Sequence, residues 1–170
     1  MNMNTKNNAR RQDTLHKIKD AYLNLLQTKA VKEVAVTDVC TQADVDRSTF
    51  YACFEDLNAL QKYIVNEADK ELESMGRKAL EKSESGLDFT WLFDYAKEHH
   101  TFFKAYLEIG DSTYMIDTTS DHYRLLFFKR GLRAVMKQWF TDGCVESPTE
   151  MNSLVLRNFK PEFFCENNVG

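Results

Sequence analysis

An all-α fold is predicted by three observations. Apolar residues recur at three- and four-residue intervals along most of the chain, nothing reads as a confident strand, and helix breakers are scarce. The 170 residues include only two prolines and six glycines. Hydrophobic residues make up 43% and charged residues 28%, enough apolar material for one or two packed domains and too much for a disordered tail.

The first apolar stripe follows the Arg10 and Arg11 pair, with Leu15, Ile18, Tyr22, Leu25 and Leu26 on one helical face. This is an amphipathic helix of about four turns. The Asn-rich residues 1–9 before it are expected to form a flexible arm. The stripe fades at Thr28 to Lys32, and a Val34-Ala35-Val36 run leads to Thr37, expected as an N-cap, after which Val39, Cys40 and Ala43 repeat. Gln42 to Asp46 breaks the pattern, and Asp46 is placed to cap a third helix through Phe50 to Phe54. Asp56 then caps the stripe Leu57, Leu60, Ile64 and Ala68, which continues to about Leu80 before Glu81 to Gly86 interrupts it.

The remainder is strongly aromatic. Of the 21 Phe, Tyr and Trp residues, 13 lie between Phe89 and Phe140, which requires a large buried core, an apolar cavity, or both. Helices are expected at Phe89 to Lys97, His99 to Glu108 and Ser120 to Asp142, with weak structure from Gly110 to Thr119. Gly143 suits the position after a helix end, and Ser147-Pro148-Thr149-Glu150 supplies a capping serine, proline at N1 and glutamate at N3. The last helix should run from Pro148 to about Phe159, stopped by Pro161.

Charge divides unevenly. Residues 1–62 hold nine Lys/Arg against eight Asp/Glu, a net of +1, whereas residues 63–170 hold 13 against 18, a net of −5, which together give the −4 of the chain. Such a protein is no general nucleic-acid coat, and any nucleic-acid contact belongs to the N-terminal third. The longest strongly apolar run, Leu125 to Phe128, is far short of the roughly 20 residues that cross a bilayer. With no secretory h-region at the start, a cytoplasmic location without membrane contact is expected. Cys40, Cys53, Cys144 and Cys165 form no Cys-x-x-Cys pair, so neither a disulfide framework nor a zinc knuckle is expected.

Thr37 to Phe54 reads as a unit: helix, tight turn, helix, with Val39, Cys40, Ala43, Val45, Phe50 and Phe54 turned inward. Left outward on the second helix are Arg47, Ser48, Thr49 and Tyr51, donors suited to phosphates and base edges, beside the positive end of that helix. The stretch Thr37-Asp38-Val39-Cys40-Thr41-Gln42-Ala43-Asp44-Val45-Asp46-Arg47-Ser48-Thr49-Phe50-Tyr51-Ala52-Cys53-Phe54, followed by Asp56 and Leu60, resembles the DNA-binding signature of TetR-type transcriptional regulators. Its Ser-Thr-Phe-Tyr-x-x-Phe core is the most specific part. Residues 11 to about 65 carry this likeness. Tyr123 through Gly131, Trp139, Gly143, Ser147-Pro148 and Met151 are similar to a C-terminal branch that includes regulators of dihydroxyacetone kinase operons.

The resemblance implies an obligate homodimer whose recognition helices enter successive major grooves of a palindromic double-stranded operator. A small-molecule or protein effector in the C-terminal domain would change their spacing. By position, Thr37 would touch phosphate, Arg47, Ser48 and Thr49 would face base edges or phosphates, Tyr51 would hydrogen-bond the DNA backbone, and Arg10 and Arg11 would act from the arm. The implied domains are the arm over 1–9, a helix-turn-helix domain over 10–62, and an effector and dimerisation domain over 63–170. Three departures from the family pattern remove attraction or add repulsion: Asp44 for glycine at the turn, Cys53 for a polar residue, and Leu57 for lysine, with Glu55 nearby. Weaker DNA binding with a shallower salt dependence is expected.

For the C-terminal domain, Phe102, Phe103, Tyr106, Tyr114, Tyr123, Phe127 and Phe128 are candidates to line an effector pocket, against the plainer reading that aromatics at helical spacing are core. The core of that candidate pocket is Phe102, Phe103, Tyr106, Tyr123 and Phe127. The Ser120 to Asp142 helix is apolar over a broad arc, so a partner copy is expected to cover one flank through Leu132, Val135, Trp139, Met151 and Leu154. His99 and His100 point about 100° apart on a helix and make no metal site. Cys53 reads as an inert thiol. No nucleophile triad, carboxylate pair or Gly-rich phosphate loop stands out, so neither an enzyme nor a cofactor is expected. The competing reading is a TetR-like scaffold with weakened DNA binding, controlled by a protein partner.

Overall fold

The computed structural model describes the backbone of residues 3–82, 88–113 and 120–158, with side chains over 8–79, 81, 88–110 and 127–158. All regular structure among these residues is helical: α1 (Met3–Leu25), α2 (Val36–Ala43), α3 (Arg47–Cys53), α4 (Leu57–Lys82), α5 (Thr90–Glu98), α6 (His100–Thr113), α7 (Ser120–Thr141) and α8 (Pro148–Asn158), with a 3-10 turn at Val31–Glu33. The expected Glu81 to Gly86 break beyond Lys82, Tyr114, the side chain of Tyr123, and the tail with Pro161 lie outside the described residues.

The backbone divides into two compact units. The first is Met1–Ala68 with Glu108–Tyr114, running past residue 62 into α4, and the second is Asp69–Leu107 with Met115–Gly170. In the first, Ile18, Tyr22, Val39, Phe50, Leu60 and Ile64 are closed to solvent. Phe54 continues this core between Phe50 and Tyr63, with ring centres 5.9 and 5.5 Å away. A buried polar contact joins α1 to α4, where Gln61 Nε2 donates to the Tyr22 hydroxyl at 2.6 Å. Burial pushes the Tyr22 phenol above its usual value, the Gln61 bond opposes this, and the Glu108 carboxylate adds to it.

Three element boundaries and one helix cap depart from expectation. Helix α1 starts at Met3, so the segment expected as an arm is wound from there on, because residues 3–14 contain no proline or glycine to stop it. Helix α2 begins one residue before Thr37, with Ala35 in the cap position, because Asp38 reaches back to accept the Ala35 N–H at 3.1 Å. Lys29 holds the same carboxylate at 2.9 Å. Those two contacts, the Lys29 bond first, hold the Asp38 carboxyl below its usual range. Helix α6 continues through Gly110 to Thr113 where weak structure was expected, with Gly110 itself buried. Asp46 does occupy the α3 cap position, yet its side chain makes no capping bond.

Other signals hold. Asp56 Oδ1 accepts the Ala59 N–H at 2.7 Å and opens α4. Gly143 (φ 83°) and Cys144 (φ 54°) close α7, with Cys144 N–H donating to Trp139 O at 2.8 Å and Gly143 N–H to Phe140 O at 3.2 Å. At α8 the Ser147 N–H donates to Glu150 Oε2 at 2.8 Å while the Glu150 N–H returns to Ser147 Oγ at 3.3 Å.

The second unit is built on aromatic pairs. Phe93 meets Trp139 edge-on at 5.4 Å, and Phe103 lies against Tyr95 and Tyr106, each 5.8 Å away. The part of α4 in this unit presents three carboxylates to three different helices. Asp69 accepts from the Tyr106 hydroxyl of α6 at 2.5 Å, Glu71 from the Tyr95 hydroxyl of α5 at 3.1 Å, and Glu73 from Lys129 of α7 at 3.1 Å.

Candidate nucleic-acid interface

The turn between α2 and α3 positions the candidate site. Asp44 adopts a left-handed conformation (φ 52°, ψ 53°), its N–H reaching Cys40 O and Thr41 O, and the Val45 N–H follows to Cys40 O at 3.0 Å. Aspartate tolerates this conformation better than most residues, which lets it stand where a glycine would be easiest. The chain then reverses tightly enough for Val39, Cys40, Ala43 and Phe50 to share the core. Burial raises the Cys40 thiol above its usual value; Arg47 opposes this and Asp46 reinforces it.

With those residues inward, Thr37, Arg47 and Ser48 are exposed, Thr49 is partly so, and Tyr51 keeps 51% of its surface open, its ring edge-on to Phe50 at 5.6 Å. Two shallow troughs flank α3. On the α1 side, Arg10, Arg11 and Thr14 face Ser48, Thr49, Ala52 and Cys53. On the α2 side, Thr37, Cys40 and Thr41 face Asp44, Val45, Asp46, Arg47 and Thr49. Thr49 is common to both and forms the ridge between them. The structure thus gathers Arg10, Arg11, Ser48 and Thr49 on one flank and Thr37, Arg47 and Thr49 on the other. Tyr51 lines neither trough.

Among the trough residues absent from the candidates drawn from sequence are the hydroxyl-bearing Thr14 and Thr41 and the acids Asp44 and Asp46; the two threonines had a signal in the sequence. Each threonine follows a candidate by one helical turn, Thr14 after Arg10 and Thr41 after Thr37, and each hydroxyl donates to that residue's carbonyl at 2.9 Å. The four-residue spacing was the available signal. In the α1 trough the formal charge is +2 from the two arginines, and in the α2 trough it is −1 from Asp44, Asp46 and Arg47.

The candidate effector residues separate. Phe102, Phe103 and Tyr106 cluster on α6, with Phe102 and Tyr106 stacked at 6.1 Å, and Phe103 and Tyr106 are buried. Phe127 is not with them on the inner face: 64% of it is open, while its neighbour Phe128 is buried against Phe89 at 5.4 Å. Beside Tyr106 stands a residue that sequence reasoning passed over. Arg133 is only 6% exposed, its guanidinium lies 4.2 Å from the Tyr106 ring centre, and its Nη2 donates to Tyr106 O at 2.6 Å.

Of the residues expected between subunits, Leu132, Trp139 and Met151 are buried within the protomer, Trp139 donating its Nε1–H to Glu146 O at 3.1 Å. Val135 and Leu154 are partly exposed. Among the described residues no three His, Cys, Asp or Glu side chains gather as a metal site, and no helix is long and apolar enough to cross a membrane. No protein-family model matches the chain, and no curated protein matches it.

Proposed function

We propose that this chain is a TetR-type transcriptional regulator, most simply a repressor, that binds a palindromic operator as a homodimer and is controlled by an effector in its second unit. The observation that carries the reading is the short α3 with Arg47, Ser48, Thr49 and Tyr51 outward and Phe50 inward, flanked by the exposed Arg10 and Arg11. A helix of this size enters a major groove, and guanidinium, hydroxyl and phenol groups are donors for phosphates and base edges. The effector would bind one quaternary arrangement better than the other and shift the population toward it. The reading requires no cofactor, metal or catalytic group, and it belongs to the cytoplasm.

In this reading the subunit contact draws on residues that keep surface in the protomer. Val135 and Leu154 qualify, as do Phe127 and Val145, the latter 79% exposed. Leu132, Trp139 and Met151 have almost no area left to bury in such a contact.

The second reading, a scaffold controlled by a protein partner with weakened DNA binding, is favoured by one observation: Asp44 and Asp46 make the α2 trough net negative. Fluorescence anisotropy with duplex DNA flanking the gene separates the two. Regulation predicts salt-sensitive, sequence-dependent binding that Arg47→Ala and Tyr51→Ala abolish while sedimentation still shows a dimer. Unchanged affinity in both variants, or no binding by the parent protein, overturns it.

A further inference from the structure

The troughs flanking α3 differ in sign, and this bears on how a duplex would lie against them. Along the α1 side, Arg10 and Arg11 meet Ser48 and Thr49 with no carboxylate in the lining among the described residues. Along the α2 side, Asp44 and Asp46 outnumber the single cation Arg47. Resting on the proposal that α3 reads duplex DNA, we infer that the phosphate strand lies along the α1 trough and that Asp46 accepts a hydrogen bond from the exocyclic amine of a cytosine in the α2 trough.

A phosphate is a full negative charge, attracted by two guanidinium groups and repelled by two carboxylates, so the troughs are not interchangeable to a DNA backbone. A base edge is neutral and is sorted by its donors. An ionised carboxylate only accepts hydrogen bonds. In the major groove cytosine offers its N4 amine, adenine sets its N7 acceptor beside the N6 amine, and guanine and thymine present acceptor atoms, so a carboxylate there selects cytosine.

Asp46 is the better placed of the two acids. It directly precedes Arg47 at the entry to α3, it is exposed, and its carboxylate is not spent on capping the helix. Asp44 belongs to the turn itself. The adjoining Arg47 carries the donor fork that suits guanine O6 and N7, so Asp46 and Arg47 together are complementary to the two members of G·C pairs.

The test is selection of binding sites by the full-length protein from a random duplex library, repeated with variants. The parent protein is expected to fix cytosine at one half-site position, by about 5- to 100-fold over other bases. Asp46→Ala and Asp46→Ser, the second of which leaves a hydroxyl able to cap α3, both lose that preference, and Asp46→Asn moves it to adenine. Arg10→Ala and Arg11→Ala lower affinity evenly across sequences, and each reduces the logarithmic salt slope by about 0.9. If Asp46→Ala and Asp46→Ser bind every sequence more tightly with base preferences unchanged, Asp46 is only repulsive and the inference fails. Altered base preference in the arginine variants overturns the assigned polarity. Failure of the parent protein to select any sequence is a separate result, which removes the DNA-binding reading itself.

Discussion

The hydrogen bond between Gln61 and Tyr22 ties α1 to α4 inside the first unit, where both residues are buried. Tyr22→Phe keeps the ring and removes the oxygen that accepts the Gln61 amide at 2.6 Å. Depriving a buried donor of its partner costs about 1–3 kcal/mol, whereas removing both partners is close to neutral. For a chain of this length about 2 kcal/mol corresponds to a midpoint shift of roughly 4–8 °C. Trp91 and Trp139 both belong to the second unit, so tryptophan emission follows that unit while far-ultraviolet circular dichroism follows both. Tyr22→Phe should therefore lower the dichroism-detected urea midpoint more than the emission midpoint. Adding Gln61→Met should restore most of the loss, giving a coupling energy above about 1 kcal/mol. A Tyr22→Phe cost below about 0.5 kcal/mol, or a double variant as unstable as the sum of the singles, refutes the reasoning.

Three further outcomes are expected. Asp44→Gly relieves the left-handed strain and should leave the first unit equal or up to about 1 kcal/mol more stable in urea, strain relief being offset by the freer unfolded chain; Asp44→Asn, which alters charge while tolerating the same conformation, should tighten DNA binding in anisotropy titrations. The Glu150 carboxyl is held below its usual value by the Ser147 N–H first and the Ser147 hydroxyl second, so its contribution to α8 is complete above the usual carboxylate range of about 4.3 and is lost as the pH falls through the lower folded value; NMR titration should show the depressed midpoint, and Glu150→Gln should flatten that part of the stability profile. Arg133→Lys should cost the second unit about 1–3 kcal/mol in emission-detected urea unfolding, since an ammonium does not reproduce a planar group that stacks on Tyr106 while donating to its carbonyl.

Helix ends with paired local signals were legible in sequence. Asp56, Gly143 and the Ser147 to Glu150 box each act within a few residues, so local chemistry decided them. Where two local signals competed, the acid anchored on both sides won: Thr37 looked like a cap, but Asp38, also held by Lys29, satisfies the Ala35 amide and starts α2 earlier. Weak structure was expected from Gly110 onward, yet Gly110 is buried within α6, where packing outweighs its weak helix propensity. The orientation of α3 was legible because alternation between Phe50 and its polar neighbours fixes which face turns inward. The charge of the flanking troughs was not, since it depends on residues brought from α1 and the α2 turn. Arg133 was missed for a related reason: a cation in an amphipathic pattern scores as surface, and only the placement of Tyr106 reveals that its stem and head are enclosed.

The winding of α1 from Met3 onward changes what Arg10 and Arg11 cost to use. A loose arm must surrender about 1–2 kcal/mol of backbone freedom for every residue it immobilises on an anionic surface. Guanidinium groups mounted on a formed helix have already met that expense during folding, and only their own rotamers remain to be fixed. Under the proposed function, preorganisation of this kind would let a face with few cations hold a polyanion that a tethered, fluctuating segment of the same composition would release.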